Sequence, residues 1–212
     1  WHQWTSEPEV DRGDKVELLG GKADDITEVR WVSDKSKSTL MRKSDALGEY
    51  TWIESTRWSK KPVVKASEED GAPIEVAEPE RVARNSVFKG SDKAAQLFKD
   101  FSPMLALRRL EVTDSDKLEE IGLSTPSATL EILRGGQTQS LDIGGEAYGS
   151  RHVYVQRRSD GNVYLVEREL LQGLKNARSR LADHSLVGLQ RKGMVRAVIT
   201  AKDETLDVTQ RN

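Results

Sequence analysis

The stretch from Ser127 to Leu186 constrains the fold more than any other, because a hydrophobic period of two gives way within it to a helical period. Ala128-Thr-Leu-Glu-Ile-Leu133 alternates apolar and polar residues, as a strand with one buried face does. Gly135-Gly136 supplies the positive-φ positions of a tight turn, and Leu141 and Ile143 carry the alternation onto a return strand. His152 to Gln156 and Asn162 to Val166 form a second hairpin, turning at Ser159-Asp160-Gly161. Leu170, Leu171, Leu174, Ala177 and Leu181 then fall on one helical stripe, with Lys175, Arg178 and Arg180 on the opposite side. A helix of this kind buries its stripe against one face of the meander that precedes it.

The rest of the chain repeats these themes. Val16, Leu18 and Leu19 form a short edge strand, and Ile26, Val29 and Trp31 begin a meander. Thr39 to Lys43 and Glu49 to Glu54 follow, turning at Asp45-Ala-Leu-Gly48, with Trp52 as core anchor. Residues 57–84 change character: the acidic run Glu68-Glu69-Asp70 and a second from Glu75 to Glu80 mark a surface insertion or linker. It lacks the alternating Asp/Asn ligands of a calcium loop.

Ser91-Asp92 caps a helix whose apolar positions run from Ala94 to Leu105, with a break or a new first turn at Pro103. Arg108-Arg109 reads as a solvated helix end, and Asp116 to Ile121 as a short helix closed by Gly122. Met194 to Thr200 and Thr205 to Val208 make a last hairpin across Lys202-Asp203-Glu204. The expected class is α+β: antiparallel meanders with helices on one face, in two related lobes, residues 1–110 and 111–212. The final hairpin starts a third copy.

A length of 212 residues gives a real core without staples. The absence of cysteine removes disulfides, thiolate metal sites and thiol nucleophiles. A net charge of −2 gives no global attraction to nucleic acid or to an anionic membrane. No apolar run approaches the roughly 20 residues that span a bilayer. The chain opens at Trp1 rather than Met, so the expectation is a mature or trimmed domain whose targeting or anchoring segment lies upstream.

Chemistry is harder to find. His2, His152 and His184 have no helical i, i+4 partner, so a helix-borne zinc site is not expected. His184, beside Asp183 near a helix end, is read as structural. Gly149-Ser150 with His152 is a weak trace of a serine hydrolase without a G-x-S-x-G elbow. The glycine-rich run Gly144 to Gly149 has no Walker lysine and is read as a bulged connection between strands. Residues 151–196 hold ten Arg or Lys against four Asp or Glu, so this half is basic while the Glu68 to Glu80 loop is acidic; the basic half is read as a solvated helix and strand surface. Tyr154 and Tyr164 are read as a pair across the second hairpin.

With the elements placed, the chain resembles the DUF4340 family. The resemblance rests on Leu118-Glu-Glu-Ile-Gly-Leu-Ser-Thr-Pro126, Ala128-Thr-Leu-Glu-Ile132, Leu141-Asp-Ile-Gly-Gly145, Val153-Tyr-Val155 and Val163-Tyr-Leu165, in that order. In the first half Ile26-Thr-Glu-Val-Arg30, Leu40-Met-Arg42 and Tyr50-Thr-Trp52 are similar to it, as is Leu181-Ala-Asp-His-Ser-Leu186 later. Ile121 stands where the family usually has Tyr. The resemblance implies a bacterial envelope protein with one N-terminal membrane helix and an extracytoplasmic domain, beside ABC-type transport components related to gliding-motility auxiliary proteins. It carries over no catalytic residues, metal or cofactor.

The expected function is therefore non-enzymatic: a periplasmic or extracytoplasmic accessory domain, held at the inner membrane by that helix, that contacts envelope proteins such as an ABC-type permease. Arg157, Arg158, Arg178 and Arg180 are the candidate contact charges. No nucleic-acid partner and no cofactor are expected. The alternative is a glycan or small-ligand module with a cleft lined by Trp31, Trp52, Tyr148 or Tyr154.

Overall fold

The computed structural model describes residues 15–46, 48–63, 77–112, 114–184, 195–201 and 204–209. Among the described residues thirteen strands and four α-helices succeed one another. Strands β1 (Val16–Leu19), β2 (Ile26–Ser33), β3 (Ser36–Asp45), β4 (Gly48–Val63) and β5 (Ala77–Lys89) lead to α1 (Asp92–Asp100). Strands β6 (Met104–Ala106) and β7 (Arg108–Leu110) and helix α2 (Ser115–Glu120) follow. Then come β8 (Ala128–Arg134), β9 (Gln137–Glu146), β10 (His152–Arg157), β11 (Val163–Glu167), α3 (Arg168–Lys175) and α4 (Ala177–Arg180). The hairpin β12 (Arg196–Ala201) and β13 (Glu204–Thr209) ends the chain's described part.

Nine strands make one antiparallel sheet in the order β5-β4-β3-β2-β8-β9-β10-β11-β7. Its two meanders meet where β2 pairs antiparallel with β8, Val29 opposite Ile132 and Trp31 opposite Leu130. Alternation sets the faces. Val29, Leu40, Ile53, Leu130, Leu141 and Val155 point to one side and are buried. Leu97 and Phe98 of α1, Leu171 and Leu174 of α3, and the β1–β6 ribbon through Leu18 and Met104 belong to the same continuous core. Ser38 of β3 donates its Oγ–H to the Leu174 carbonyl at 2.7 Å, tying α3 to the sheet inside that core. The other face is solvated, as one face of an antiparallel sheet commonly is. There Arg30 pairs with Glu28 at 2.6 Å and Glu131 at 3.1 Å.

Several sequence expectations need correction. The helix of the central stretch is interrupted at Asn176, whose φ of −124° and ψ of 43° separate α3 from α4, although Leu171, Leu174, Ala177 and Leu181 all stay buried. Around Pro103 no second helix begins; Met104 and Leu105 lie on β6, paired with β1. Arg108 and Arg109 are solvated on an edge strand, not a helix end. Trp52 sits half-buried on the solvated face, since Ile53 beside it takes the core position. Its ring meets Tyr50 edge-on at 6.3 Å and Lys43 Nζ at 4.9 Å. Tyr154 and Tyr164 do not pair: the register sets Tyr154 against Leu165 and Tyr164 against Val155, on opposite faces.

The flanks of the expected insertion are strand. β4 runs to Val63 and β5 begins at Ala77. β3 pairs with β4 only as far as Arg57, and the Trp58 N–H donates to the Lys35 carbonyl at 3.0 Å, so Ser59 to Val63 form a two-stranded arm with β5 beyond the sheet. Pro62 falls at its register shift, where a missing N–H does least harm. The acidic run Glu68 to Asp70 lies outside the described residues, as do His2, Met194 and the Lys202-Asp203 turn.

Candidate functional site

The four candidate contact arginines do not form one cluster. Arg157 ends β10 on the core side, where it pairs with Asp160 at 2.5 Å, donates to the Leu18 carbonyl at 2.7 Å and lies over the Tyr164 ring. It locks β1 to the hairpin turn. Arg158 reaches the other face and pairs with Asp142 at 2.6 Å. Arg180 pairs with Glu169 at 3.1 Å. Arg178, exposed on α4, has no ion pair among the described residues.

The four aromatics proposed for a cleft are also dispersed. Trp31 is buried at the helix side of the sheet, Trp52 and Tyr154 belong to the solvated face, and Tyr148 is 97% exposed on a loop. Gly144 and Gly145 lie at the end of β9, where the register against β10 shifts, so the expected bulge falls within the strand. The Gly145 N–H donates to the Ile121 carbonyl at 2.7 Å, and a Cβ on Gly144 would lie 2.6 Å from that same oxygen. Glycine there lets the C-terminal end of α2 rest on the strand, with Gly122 at φ +72° closing the helix. Ser150 Oγ accepts from the His152 backbone N–H at 3.3 Å and donates to the Ala147 carbonyl at 3.2 Å, so its hydroxyl serves the turn.

What the pairing does bring together is a set of serines and cations, of which only Arg178 is a candidate contact charge in the sequence. Cross-strand partners share a face. Ser36 opposes Arg57, which opposes Arg84, and one step along Ser38 opposes Ser55, which opposes Ser86. Both rows point to the side where α3 and α4 pack. Ser59 continues the line on β4. Lys175, Asn176, Arg178 and Ser179 form the opposite wall, with His184 beside them. Together they border a groove of about 620 Å³ with no Asp or Glu among its described lining residues. It shares Ser36, Arg57, Lys175 and Asn176 with a cleft of about 230 Å³ that runs between α3 and the sheet to Trp31.

Arg57, Arg84, Lys175 and Arg178 are all exposed and enter no ion pair among the described residues, whereas Arg30, Arg158, Arg168 and Arg180 each have a carboxylate. The only trace in the sequence is a period of two, Ser36-x-Ser38, Ser55-x-Arg57-x-Ser59 and Arg84-x-Ser86. It gains meaning only once three strands are aligned. Among the described residues no group of His, Asp and Glu is placed to hold a metal ion, and no helix is long and apolar enough to cross a membrane.

One solvated face, one face covered by short helices, and a polar groove at their margin define the class: an antiparallel-sheet α+β domain. More narrowly, the chain belongs to the DUF4340 family, a domain of unknown function, whose pattern matches residues 92–211. That span holds α1, the second meander and the final hairpin; the first meander lies outside it. The chain matches no curated protein and no solved structure.

Proposed function

We propose that this chain is the extracytoplasmic, non-enzymatic domain of a membrane-anchored accessory protein in an ABC-type transport or gliding-motility-associated envelope complex, working by protein–protein contact. The envelope setting comes from the family resemblance. The contact mode rests on one observation, the β4–β5 arm with its open edge. β5 is thirteen residues long, ends the sheet and has no further strand beside it among the described residues. An unpaired strand edge is a template for another chain. Val87 of β5 is 57% exposed, an apolar contact on that edge. The opposite edge, β7, is three residues long and offers little.

We also infer that the two meanders are related copies, because each runs through four antiparallel strands into a helix, β2–β5 into α1 and β8–β11 into α3.

The test is crosslinking of the full-length tagged protein in membranes, followed by purification and identification of the captured chains. Recovery of ABC-type permease or motility-auxiliary components is expected, with loss of capture on Val87→Lys, since edge lysine blocks strand addition. Capture that survives Val87→Lys places the contact elsewhere. A second reading, a ligand-binding module of the envelope, is favoured by the carboxylate-free groove.

A further inference from the structure

We infer that the groove between β3–β4–β5 and α4 is a binding site for a phosphate-bearing polar ligand. The argument begins with an unfavourable feature. Arg57 and Arg84 stand directly opposite each other across an antiparallel pair. Like charges at that position repel and destabilise the pairing. Lys175 and Arg178 bring two more positive charges to the same groove, and no carboxylate lines it among the described residues. Among those residues Arg30, Arg158, Arg168 and Arg180 each have a carboxylate, and these four have none. An anion supplied from outside removes the repulsion.

The neutral groups specify which anion. Ser55, Ser59 and Ser86 offer hydroxyls and His184 an imidazole, while Ser36 already bonds Ser33 Oγ and Ser179 donates to the Asn176 carbonyl. Guanidinium groups bind phosphate oxygens through two parallel N–H bonds, and hydroxyls complete the shell. Apart from Ala177, every described side chain of the lining ends in a polar or charged group, which fits a phosphorylated sugar or a phosphomonoester headgroup. A volume of about 620 Å³ holds a ligand of that size, and the connected cleft toward Trp31 gives its uncharged part a path. The site lies on the helix side of the sheet, so it stands independently of the outer-edge contact proposed above.

The experiment is calorimetric titration of the protein with glucose 6-phosphate, and cosedimentation with vesicles of equal parts phosphatidylcholine and phosphatidic acid. Glucose and pure phosphatidylcholine vesicles are the controls. Binding of the sugar phosphate assigns a soluble ligand; binding of the phosphatidic acid vesicles alone assigns a lipid headgroup, and both support the site. Arg57→Ser with Arg84→Ser is expected to weaken binding by about tenfold or more, since each charge-assisted bond is worth over 1 kcal/mol. Lys99→Ser with Lys117→Ser, which removes the same charge from α1 and α2, is expected to leave binding within about twofold, as distant exposed charges are screened by salt.

A second readout is the melting temperature without ligand. It is expected to stay level or rise in the Arg57→Ser/Arg84→Ser protein, because a repulsion is removed. No binding to either probe, an equal loss in both double variants, or a lower melting temperature of the arginine variant without ligand overturns the assignment.

Discussion

At the scale of single residues, two side-chain environments have measurable consequences. Asp160 accepts hydrogen bonds from Arg157 Nε at 3.0 Å and from the Asn162 backbone N–H at 3.2 Å. The Arg157 bonds are the larger cause, and they hold the carboxyl down at about 2. A depressed folded value stabilises the fold above the unfolded value, and that contribution is lost as the pH falls toward the folded one. Asp160 therefore contributes fully above about pH 4 and progressively less down to about pH 2. Its side chain is 35% exposed, so solvent screening limits the effect to about 0.5–1 kcal/mol. Asp160→Asn is expected to flatten the acid limb of stability against pH in that window, measured by urea unfolding at each pH. Gly144 makes the other case. Its Cβ position lies 2.6 Å from a backbone oxygen, which cannot swing away as a side chain can. Gly144→Ala is expected to cost about 1–3 kcal/mol and to lower the melting temperature by about 2–4 °C per kcal/mol.

At the scale of elements, the helix and sheet layers are joined through Leu174. Its side chain is fully buried and its carbonyl accepts from Ser38. Leu174→Ala is expected to destabilise by about 2–5 kcal/mol, read as a lower urea midpoint with an unchanged slope. This scale also shows what the sequence could tell. The second meander was legible because Leu130 and Ile132, Leu141 and Ile143, and Val153 and Val155 alternate cleanly against one buried face. β5 was not, since an edge strand that is mostly exposed has no buried face to impose alternation; Asn85, Ser86 and Val87 follow no period. The interruption at Asn176 was hidden for the opposite reason, because the apolar stripe continues through it into α4. β6 was masked by Met104 and Leu105 standing where a continued α1 would also want apolar residues. The groove escaped notice because Ser and Arg at alternate positions look like ordinary surface until β3, β4 and β5 are in register.

At the scale of the whole molecule, the sheet's order matters more than its composition. The strands on both sides of Leu110, the boundary of the two lobes expected from sequence, join one sheet and one core. β6 pairs back to β1, β7 pairs forward to β11, and Gly90 bridges to Ala182. The charge pattern is equally a property of the whole. The solvated face gives Arg30 and Arg158 carboxylate partners, and among the described residues the helix-side groove leaves its cations without one.

The meeting of β2 with β8 also sets a timetable. Val29 finds its partner only when Ile132 exists, and the core beneath Trp31 closes only when α3 arrives to cover it. During synthesis, β2, β3 and β4 leave the ribosome early, with a hydrophobic face and an unpaired central edge, and wait for the second half of the chain. Contacts so distant along the sequence slow folding, because a large loop must close before they repay its entropy. The first meander is thus the part of this molecule most dependent on protection while the chain is being made.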